Sequence, residues 1–598
     1  MTAKTRVVIL GAGYGGVHAA KKLSKKYKKN DYVEITLIDK NPFHTLMTEL
    51  HEIAGGRVEK ESVMVDLRQI FHLSKVKVVT EYIDKVDTDN QVLYSEFDKY
   101  EYDYLVIGTG AETAYFGVPG VKENGFSLWS LEDALKIKEH IEKMFKKASM
   151  ERNEAKRREM LTIIVAGAGF TGIETIGEVM EWKTKLSKDY NVDEREVRLM
   201  VVEALPQILN MLGRDQAEKV ERYMEKKGIE LMKNAPIVEV APDFIKLKDG
   251  TEISTKTLIW TCGIQGRAES SELGLQMGKK ARIQTNEYLQ SVTKENVFVT
   301  GDIVWLDTAD GRGTPQIVEA AMQTGETAAE NIIASIENSE KKAFNGKYHG
   351  FMVSVGGKYG VAEVGGLKLS GFFAMAMKHL VNMHYLFGIG GLYLIFKYLS
   401  HEFFHIKNER SIMRGHLAAR SSTLWLVVFR LYVGAMWLIE GVTKIKDGWL
   451  TGDKIYIIQT AATSGATQTA SEPATAPAIV PLISHPPEFY TAFMDTFIAP
   501  YAHFFQVCIV LAEVAIGLAL IGGLFVFLAS LASIFLCFNF ILSAMGGKEI
   551  LWFIFGAVAL MGGAGRAFGL DYYVIPWFTR LAKKIFLGEQ TPVYVKKA

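Results

Sequence analysis

Two copies of a glycine-rich turn that joins a strand to a helix constrain this fold more than any other feature of the sequence. The first turn, Gly11-Ala-Gly13-Tyr-Gly15-Gly16, follows VVIL and precedes VHAAKKL. The second, Gly167-Ala-Gly169-Phe-Thr-Gly172, follows LTIIVA and precedes IETIGEVMEW. In such a turn the glycines permit tight bending, close approach to a pyrophosphate and close helix–strand packing, and the helix N-terminus stabilises the anion. The sequence therefore predicts an α/β fold with two Rossmann-type dinucleotide-binding domains.

An acidic residue ends the strand that follows each turn. Asp39 closes EITLID and Glu203 closes RLMVVE, the latter after a longer interval because of a charged insert at 183–195. A carboxylate here accepts hydrogen bonds from a ribose hydroxyl and repels a 2′-phosphate, so NADH is favoured over NADPH at the second turn, although Arg214 could moderate this preference. Two adjacent dinucleotides are typical of hydride transfer from a nicotinamide to a flavin. Asp302, which follows the strand NVFV, can bind a ribitol hydroxyl.

The charges and cysteines exclude several other classes of protein. The formal net charge of +1 argues against a protein that coats nucleic acid. The three cysteines, Cys262, Cys508 and Cys537, have no C-x-x-C spacing. The absence of that spacing argues against a disulfide-stapled fold, a zinc ribbon and a dithiol redox centre. No metal site is predicted. Cys262 follows a predicted buried strand and is expected to be a core residue.

The last third of the chain is predicted to lie in a membrane. Four nearly uncharged segments, 423–443, 501–523, 524–545 and 550–566, each have roughly the 20 residues of a bilayer crossing. The loop 447–498 is rich in Ala, Thr, Ser and Pro and is expected to be flexible. The earlier apolar stretch 371–399 contains Gly388, Gly390 and Gly391 and several basic residues. We therefore predict that it lies in the interface as an amphipathic anchor rather than crossing the bilayer.

Basic residues flank the predicted spans and predict their orientation. They occur at 407, 410, 414 and 420 before the first span, and at 580, 583, 584, 596 and 597 after the fourth. Because basic flanks stay in the cytoplasm, four spans place both flanks and the N-terminal region on the cytoplasmic side of the cell membrane. Within the spans, Glu440 is expected close to Lys444 near the outer interface, where either pairing or snorkelling suffices. For Glu513, nearer mid-depth, a functional role and a structural hydrogen bond are equally open.

Seven motifs together resemble those of the type II, non-pumping NADH:quinone oxidoreductases, which are flavoproteins with two dinucleotide-binding domains. The motifs are GAGYGG, DKNPFHTLMTELHEIAGG, YLVIGTG, GAGFTGIE, LIWTCGI, TGD and AAMQTGE. The resemblance covers about residues 5–400 and extends to the stretch 350–378, which ends in an amphipathic membrane anchor. The resemblance implies FAD as the cofactor, and NADH and a membrane quinone (menaquinone or ubiquinone) as substrates. It also implies attachment to the lipid bilayer, and a homodimer is a further expectation.

The resemblance also implies roles for individual residues. FAD would be held by Gly11, Ala12, Gly13, Tyr14, Gly15, Gly16, Asp39, Lys40, Ile83, Thr109, Gly110, Asp302 and Ala321. NADH would be held by Gly167, Gly169, Gly172 and Glu203. Glu174 would lie beside the nicotinamide and the flavin, and Gln323 and Lys378 would act as catalytic residues at the quinone. One departure is Val318-Glu319, where the family often has Ala-Gln, so an acid stands at the expected quinone mouth.

The membrane region resembles the DoxX family of four-span modules. The resemblance is carried by FRLYVG with Glu440-Gly441 and Lys444-Ile445 in the first span, and by GAGRAFGLD at the end of the fourth. Some members of that family are tied to thiosulfate:quinone chemistry. Two alternatives therefore stay open: a sulfide- or thiosulfate-linked quinone reductase, and a redox-sensing flavoprotein coupled to a membrane carrier.

The predicted domain organisation follows from these assignments. The FAD-binding domain comprises 1–120 and 265–340, the NADH-binding domain 121–264, and the anchoring region with the quinone site 341–400. A basic linker at 401–422, a DoxX-like domain at 423–570 and a cytoplasmic tail at 571–598 complete the chain. The leading hypothesis is a membrane-bound NADH:quinone oxidoreductase that does not pump protons.

Overall fold

A computed structural model describes residues 4–308, 311–405, 410–413, 422–452 and 481–587. The chain divides into two compact units, Met1–Ala419 and Arg420–Ala598. Most of the predicted loop 447–498, much of the predicted basic linker and the end of the predicted tail lie outside the described residues.

The elements are numbered in chain order. The strands are β1 (Thr5–Leu10), β2 (Val33–Asp39), β3 (Phe43–Thr45), β4 (Met64–Asp66), β5 (Lys77–Thr80), β6 (Ile83–Asp87), β7 (Val92–Ser95), β8 (Lys99–Glu101), β9 (Tyr104–Ile107), β10 (Ala111–Thr113), β11 (Phe126–Ser127), β12 (Thr162–Ala166), β13 (Arg198–Val202), β14 (Ile229–Met232), β15 (Ile237–Val240), β16 (Phe244–Leu247), β17 (Glu252–Ser254), β18 (Thr257–Trp260), β19 (Ile264–Gly266), β20 (Ile283–Thr285), β21 (Val297–Val299), β22 (Val304–Leu306), β23 (Gly350–Ser354), β24 (Gly360–Val364) and β25 (Leu367–Ser370). The helices are α1 (Tyr14–Lys26), α2 (Leu50–Ala54), α3 (Leu67–Phe71), α4 (Val121–Asn124), α5 (Leu131–Ala148), α6 (Glu154–Leu161), α7 (Phe170–Tyr190), α8 (Arg214–Lys226), α9 (Val318–Glu337), α10 (Phe372–Leu399), α11 (Leu426–Lys446), α12 (Glu488–Phe493), α13 (Ala502–Gly522), α14 (Val526–Leu542), α15 (Ile550–Leu560) and α16 (Asp571–Leu587).

Two five-stranded parallel sheets form the core of the first unit, and they share the order of four strands but differ in the outer strand, which comes last along the chain in the first sheet (β21) and first in the second (β11). The strand order is β21-β9-β1-β2-β5 in the first sheet and β11-β18-β12-β13-β14 in the second. In each sheet the central strand, β1 or β12, leads into a glycine-rich turn and pairs in parallel with the strand that carries or precedes the acid, Asp39 or Glu203. β12 is buried along its whole length, as expected for a strand covered on both faces. The prediction of two Rossmann-type units is confirmed.

A three-stranded antiparallel sheet, β23-β24-β25, leads into α10. Within its 28 residues α10 loses helical dihedral angles at Gly390 and Gly391, two of the glycines that were predicted to interrupt it. One face of α10 packs on the rest of the first unit, where Lys21 Nζ of α1 donates to Ile389 O (2.7 Å). The other face exposes large apolar side chains, among them Phe373, Leu392 and Phe396.

The length and composition of α10 and its extension, Phe372–Phe404, are sufficient for a membrane crossing. However, a helix that is bonded to protein along one face and apolar along the other has the form of an interfacial anchor. The interfacial position therefore stays a prediction, and the contacts of α10 favour it.

Apolar helices occupy all four predicted span positions in the second unit. Thr423–Lys446 and Glu488–Gly522 are long and apolar enough to cross a membrane. In contrast, α14 has 17 residues and α15 has 11. The length of α14 is at the lower limit of the roughly 17–25 residues of a crossing helix, and that of α15 is below it. α15 is followed by Gly562 and Gly563, and Gly563 has a φ of +93° that ends the helical path. The four-span arrangement stays a prediction.

The two motifs of the second unit, FRLYVG and GAGRAFGLD, come together in space. Arg430 is 1 % exposed and donates through Nη1 to Ala564 O (2.8 Å) and through Nη2 to Phe568 O (3.1 Å). Asp571 Oδ1 accepts from Phe525 N (2.6 Å) at the start of α14. Arg430 and Asp571 therefore satisfy backbone groups at the ends of neighbouring helices.

A charged pair joins two helices of the second unit. Lys444 Nζ pairs with Glu513 of α13, whereas Glu440 is exposed. Of the two options predicted for Glu440, pairing with Lys444 is not found, because α11 directs Lys444 towards α13 and Glu440 away from the bundle interior; snorkelling of Glu440 stays a prediction.

Candidate active site

The two glycine-rich turns have nearly the same geometry. The first glycine of each has a positive φ, +103° at Gly11 and +94° at Gly167, which a residue with a side chain adopts only with strain. At Gly16 and at Gly172, a Cβ atom would lie 1.9 Å from the carbonyl oxygen of Gly11 and of Gly167, respectively. The predicted functions of the first and last glycines in each turn are thus explained by close backbone contacts.

The middle glycines, Gly13 and Gly169, face open space. A Cβ atom at either position would meet nothing within 4 Å. Each glycine is the N-cap of the following helix, α1 or α7, and no side chain caps either helix. The first-turn N–H groups of both helices therefore need an external acceptor. A pyrophosphate is an acceptor of suitable charge and size, so the residues fit a dinucleotide at both turns.

The acids Asp39 and Glu203 make equivalent contacts. Asp39 accepts from Ala12 N (2.7 Å) and Asn41 N (2.8 Å). Glu203 accepts from Ala168 N (2.6 Å) and Leu205 N (2.8 Å). Burial raises the pKa of Asp39, and the hydrogen bonds from Ala12 and Asn41 oppose that rise. Since each carboxylate oxygen can accept more than one bond, capacity for ribose hydroxyl groups remains.

Several other predicted FAD-binding residues lie at the carboxyl edge of the first sheet. Thr109 Oγ1 is buried and has no hydrogen-bond partner among the described residues, and a Cβ atom at Gly110 would meet nothing within 4 Å. Burial raises the pKa of Asp302 to about 6, which Arg282 partly opposes. An unpartnered hydroxyl and a desolvated carboxylate beside an open turn are features of a site for a polar ligand.

The remaining predicted FAD-binding residues differ in their surroundings. The ring of Tyr14 packs edge-on against His44 (4.8 Å between centroids). Ala321 is buried near the start of α9, and its carbonyl accepts from Thr300 Oγ1 (3.5 Å). Ile83 is half-buried at the start of β6, and Lys40 is exposed after β2.

Glu174 lies on α7, one turn beyond the second glycine-rich turn, and is nearly buried. Its Oε1 accepts from Ser354 N (3.3 Å), and its Oε2 is 3.6 Å from His51 Nδ1 of α2. Burial raises the pKa of Glu174 to about 7, while Lys378 and the Ser354 hydrogen bonds lower it. Glu174 can therefore hold or release a proton near neutral pH.

Lys378 contacts two buried carboxylates of the segment around α2. Its Nζ donates to Glu52 Oε1 (2.9 Å) and lies 3.0 Å from Glu49 Oε2. Burial raises the pKa of Glu49 well above its usual value. Burial also opposes ionisation of Glu52, but Arg57 and Lys378 outweigh this effect and hold the pKa of Glu52 well below its usual value. Glu49 and Glu52, with His51, could hold a cation, but Lys378 and Arg57 already neutralise the charge.

Gln323 and Glu319 both bind the segment that precedes β23. The Gln323 amide donates to Lys347 O (2.6 Å) and accepts from Lys347 N (2.9 Å). The Glu319 carboxylate accepts from His349 N (2.9 Å) and lies 2.5 Å from His349 Nδ1. The acid at the expected quinone mouth is therefore paired, and both ends of the Gln323 amide have backbone partners.

Sequence reasoning missed a buried network of charges beside Glu174. Arg57 Nε donates to Glu178 Oε1 (3.0 Å), and Arg57 Nη1 donates to Glu402 Oε2 (3.1 Å). Arg410 Nη2 donates to Glu178 Oε2 (2.8 Å). In the sequence, this charge network is marked only by the charged residues that alternate with apolar ones in MTELHEIAGGR. Such a pattern is more common on a solvated surface, and only the fold shows that it is buried.

Cys262 does not lie in the core. It is exposed just after β18, so the prediction of a buried residue is wrong. The strand ends at Trp260, and Gly167 approaches the Cα of Cys262 so closely that a Cβ atom would lie 3.0 Å away. The residue thus belongs to the backbone surroundings of the second turn.

Comparisons with known proteins agree with this geometry. The model of the family described as "Pyridine nucleotide-disulphide oxidoreductase" matches residues 5–325. The type II NADH:quinone oxidoreductase of Staphylococcus haemolyticus is 32% identical over 398 residues, which is 66% of this chain and 98% of that protein. The enzyme of the same name from Staphylococcus aureus is 31% identical over the same shares.

Solved structures are similar in fold. The NDH2 from Plasmodium falciparum in complex with NADH gives a TM-score of 0.60 at 16% identity, and the match covers 66% of this chain and 98% of that one. The sulfide:quinone oxidoreductase from Aquifex aeolicus gives a TM-score of 0.53 at 19% identity, covering 64% and 91%. Both show the shared architecture of the first unit.

Proposed function

The chain belongs to the pyridine nucleotide-disulphide oxidoreductase family and to the type II NADH:quinone oxidoreductases, and we propose on this basis that it oxidises NADH and reduces a membrane quinone through FAD. The observation that carries the proposal is the pair of open glycine turns, each with its acid. FAD, when bound, accepts a hydride and returns two electrons.

The two turns have separate roles in this proposal. The first turn, with Asp39, Thr109 and Asp302, binds the flavin nucleotide. The second turn, with Glu203, binds NADH, and its carboxylate disfavours the 2′-phosphate of NADPH. Because the two substrates use different surfaces, NADH and quinone can react in turn by a ping-pong route.

We assign proton handling to Glu174. Its pKa of about 7 lets it exchange a proton close to the physiological pH. Reduction of a quinone by two electrons requires two protons, so a titratable group at this position supports turnover. Lys378 supplies a fixed positive charge that favours the developing negative charge on the quinone oxygens. Gln323 holds the segment at Lys347 in place at the proposed quinone entrance.

For the membrane part, we propose a cytoplasmic first unit anchored by α10 and followed by a multi-pass, DoxX-like second unit. The proposal is supported by the exposed apolar face of α10 and by the apolar helices of the second unit. A homodimer is part of the proposal. In this proposal the second unit is an accessory membrane module.

A sulfur-linked quinone reductase is the alternative enzyme. Carrying sulfur through a disulfide or polysulfide next to the flavin requires a pair of cysteines. In the sequence of the first unit Cys262 is the only cysteine. We therefore favour direct electron transfer from the flavin to the quinone. A redox-sensing role would be favoured if the flavin were reduced by NADH but no quinone reoxidised it.

Stopped-flow absorbance on the full-length protein in detergent tests the proposal. NADH should bleach the flavin band rapidly, and a menaquinone or ubiquinone analogue should restore it. NADPH should bleach it more slowly, and sulfide or thiosulfate without NADH should leave it unchanged. A flavin that stays oxidised under excess NADH would refute the proposed function.

A further inference from the structure

Arg410 lies near the end of the first unit and is almost fully buried. Its side chain is 2 % exposed. Nη1 donates to Gly55 O (2.8 Å), and Nη2 donates to both Glu178 O (2.7 Å) and Glu178 Oε2 (2.8 Å). One guanidinium group thus binds the loop after α2 and the middle of α7 at the same time.

The two elements that Arg410 joins are in direct contact. A Cβ atom at Gly55 would lie 2.4 Å from Glu178 Cβ, and a Cβ atom at Gly56 would lie 2.7 Å from Trp182 Cζ2. The loop Gly55–Gly56 and α7 therefore meet along a seam with no room for side chains. A small change in the separation of these elements would alter the whole seam.

The same two elements carry the groups that face the reaction. α7 begins immediately after Gly169 of the second turn and carries Glu174, one helical turn before Glu178. The segment around α2 carries His51, whose Nδ1 is 3.6 Å from Glu174 Oε2. The separation of α2 and α7 therefore sets the position of the NADH-binding helix relative to the flavin-binding domain.

We propose that Arg410 is a positioning residue for hydride transfer, which fixes the NADH-binding helix α7 against the loop Gly55–Gly56. The proposal rests on the proposed function and adds a residue outside the part that the family model matches, 5–325. Reacting groups must be held in a near-attack geometry, so a small displacement of α7 slows the transfer of hydride. The later transfer from reduced flavin to quinone uses α7 only through proton exchange at Glu174, so it depends less on the position of the NADH-binding turn than hydride transfer does.

The loss of Arg410 would also leave its acceptors poorly satisfied. Gly55 O and Glu178 O would lose a buried donor, and the Glu178 carboxylate would depend on Arg57. Arg57 is shared with Glu52 and Glu402, so it cannot move fully to Glu178 without weakening those pairs. A lysine at 410 can reach one acceptor but cannot bind both elements with a planar fork.

The two half-reactions separate this role from a merely structural one. Full-length wild type, Arg410→Gln and Arg410→Lys are compared in detergent, with Arg195→Gln as the control, since the Arg195 side chain is 90% exposed. One measurement is the limiting rate of flavin reduction by NADH. The other is the reoxidation of dithionite-reduced flavin by a short-chain ubiquinone analogue.

We expect Arg410→Gln to slow flavin reduction by about tenfold while reoxidation stays within about twofold, a split that follows from displaced reactants. Arg410→Lys should recover part of the loss, and Arg195→Gln should match wild type. Unchanged reduction, or equal slowing of both half-reactions, would overturn the proposal. If Arg410→Gln does not fold, Arg410→Lys decides by the same split. A wild-type flavin that NADH does not reduce would instead refute the proposed function.

Discussion

Replacing Glu174 by Gln is expected to stabilise the protein at high pH while it slows quinone turnover. Burial raises the pKa of Glu174 from 4.5 to about 7. The unfolded chain therefore releases this proton near pH 4.5 and the folded protein near pH 7. Between these values the folded state holds a proton that the unfolded state has lost, so the free energy of unfolding falls as the pH rises. Above pH 7 the loss is complete.

The size of the effect follows from the two pKa values. The difference between 4.5 and about 7 corresponds to about 3 kcal/mol in favour of the neutral side chain. Gln is neutral at every pH, and its amide oxygen can still accept from Ser354 N, as Glu174 Oε1 does at 3.3 Å. The variant should therefore gain little at pH 5 and up to about 3 kcal/mol at pH 9. Its activity should fall because the titratable proton is gone.

Thermal unfolding of the full-length holoprotein in detergent, followed by flavin fluorescence at pH 5 and pH 9, measures this difference. Glu239→Gln is the matched control because Glu239 is exposed on β15. Stopped-flow traces of the same samples give the rates of flavin reduction by NADH and of flavin reoxidation by the quinone analogue, and the second rate should fall. A stability difference that is the same at both pH values, or a loss of stability at pH 9, would show that burial does not set the Glu174 pKa.

Three further predictions concern other parts of the chain. Gly13→Ala and Gly169→Ala should both fold, because a Cβ atom at either position meets no protein atom within 4 Å. The added methyl group enters the space proposed for the dinucleotide, so Gly13→Ala should lose FAD, and Gly169→Ala should keep FAD but raise the KM for NADH by roughly tenfold (~1.4 kcal/mol). Flavin content measures the first effect and steady-state kinetics the second. Cys262→Ser should retain NADH:quinone turnover within about twofold, since no step uses the thiol; a larger loss would revive the sulfur-linked alternative. Arg430→Gln should destabilise the second unit by about 1–3 kcal/mol because buried carbonyl groups lose their donor, while flavin reduction by NADH stays unchanged; calorimetry and stopped-flow absorbance separate the two effects.

The Rossmann-type units could be predicted from sequence because their determinants are local. The contact between Gly16 and Gly11 O, and its counterpart between Gly172 and Gly167 O, each fall within one short turn. A local steric requirement of this kind leaves a direct mark on the sequence as glycine at fixed spacing. The acids at the ends of the next strands follow from the same βαβ geometry, and both are found there.

The buried charge network could not be predicted because its pairs are distant in sequence. Arg57 meets Glu178 across 121 positions, and Glu178 meets Arg410 across 232. No periodicity marks such pairs, and an isolated charged residue in sequence is normally read as exposed. The same limit applies to the contacts of Gln323, whose amide binds the backbone of Lys347, 24 positions away.

Two charged motif residues of the second unit, Arg430 and Asp571, say little about its activity, because packing accounts for them. Arg430 donates to the carbonyl groups of the GAGRAFGLD segment, and Asp571 accepts from the start of α14. Both contacts would be needed in any bundle with these connections, whatever it binds. A functional group must instead be sought among buried polar side chains that the backbone does not use. Glu513, paired with Lys444 between α11 and α13, meets that condition, and charges inside apolar helices are costly enough to require a reason.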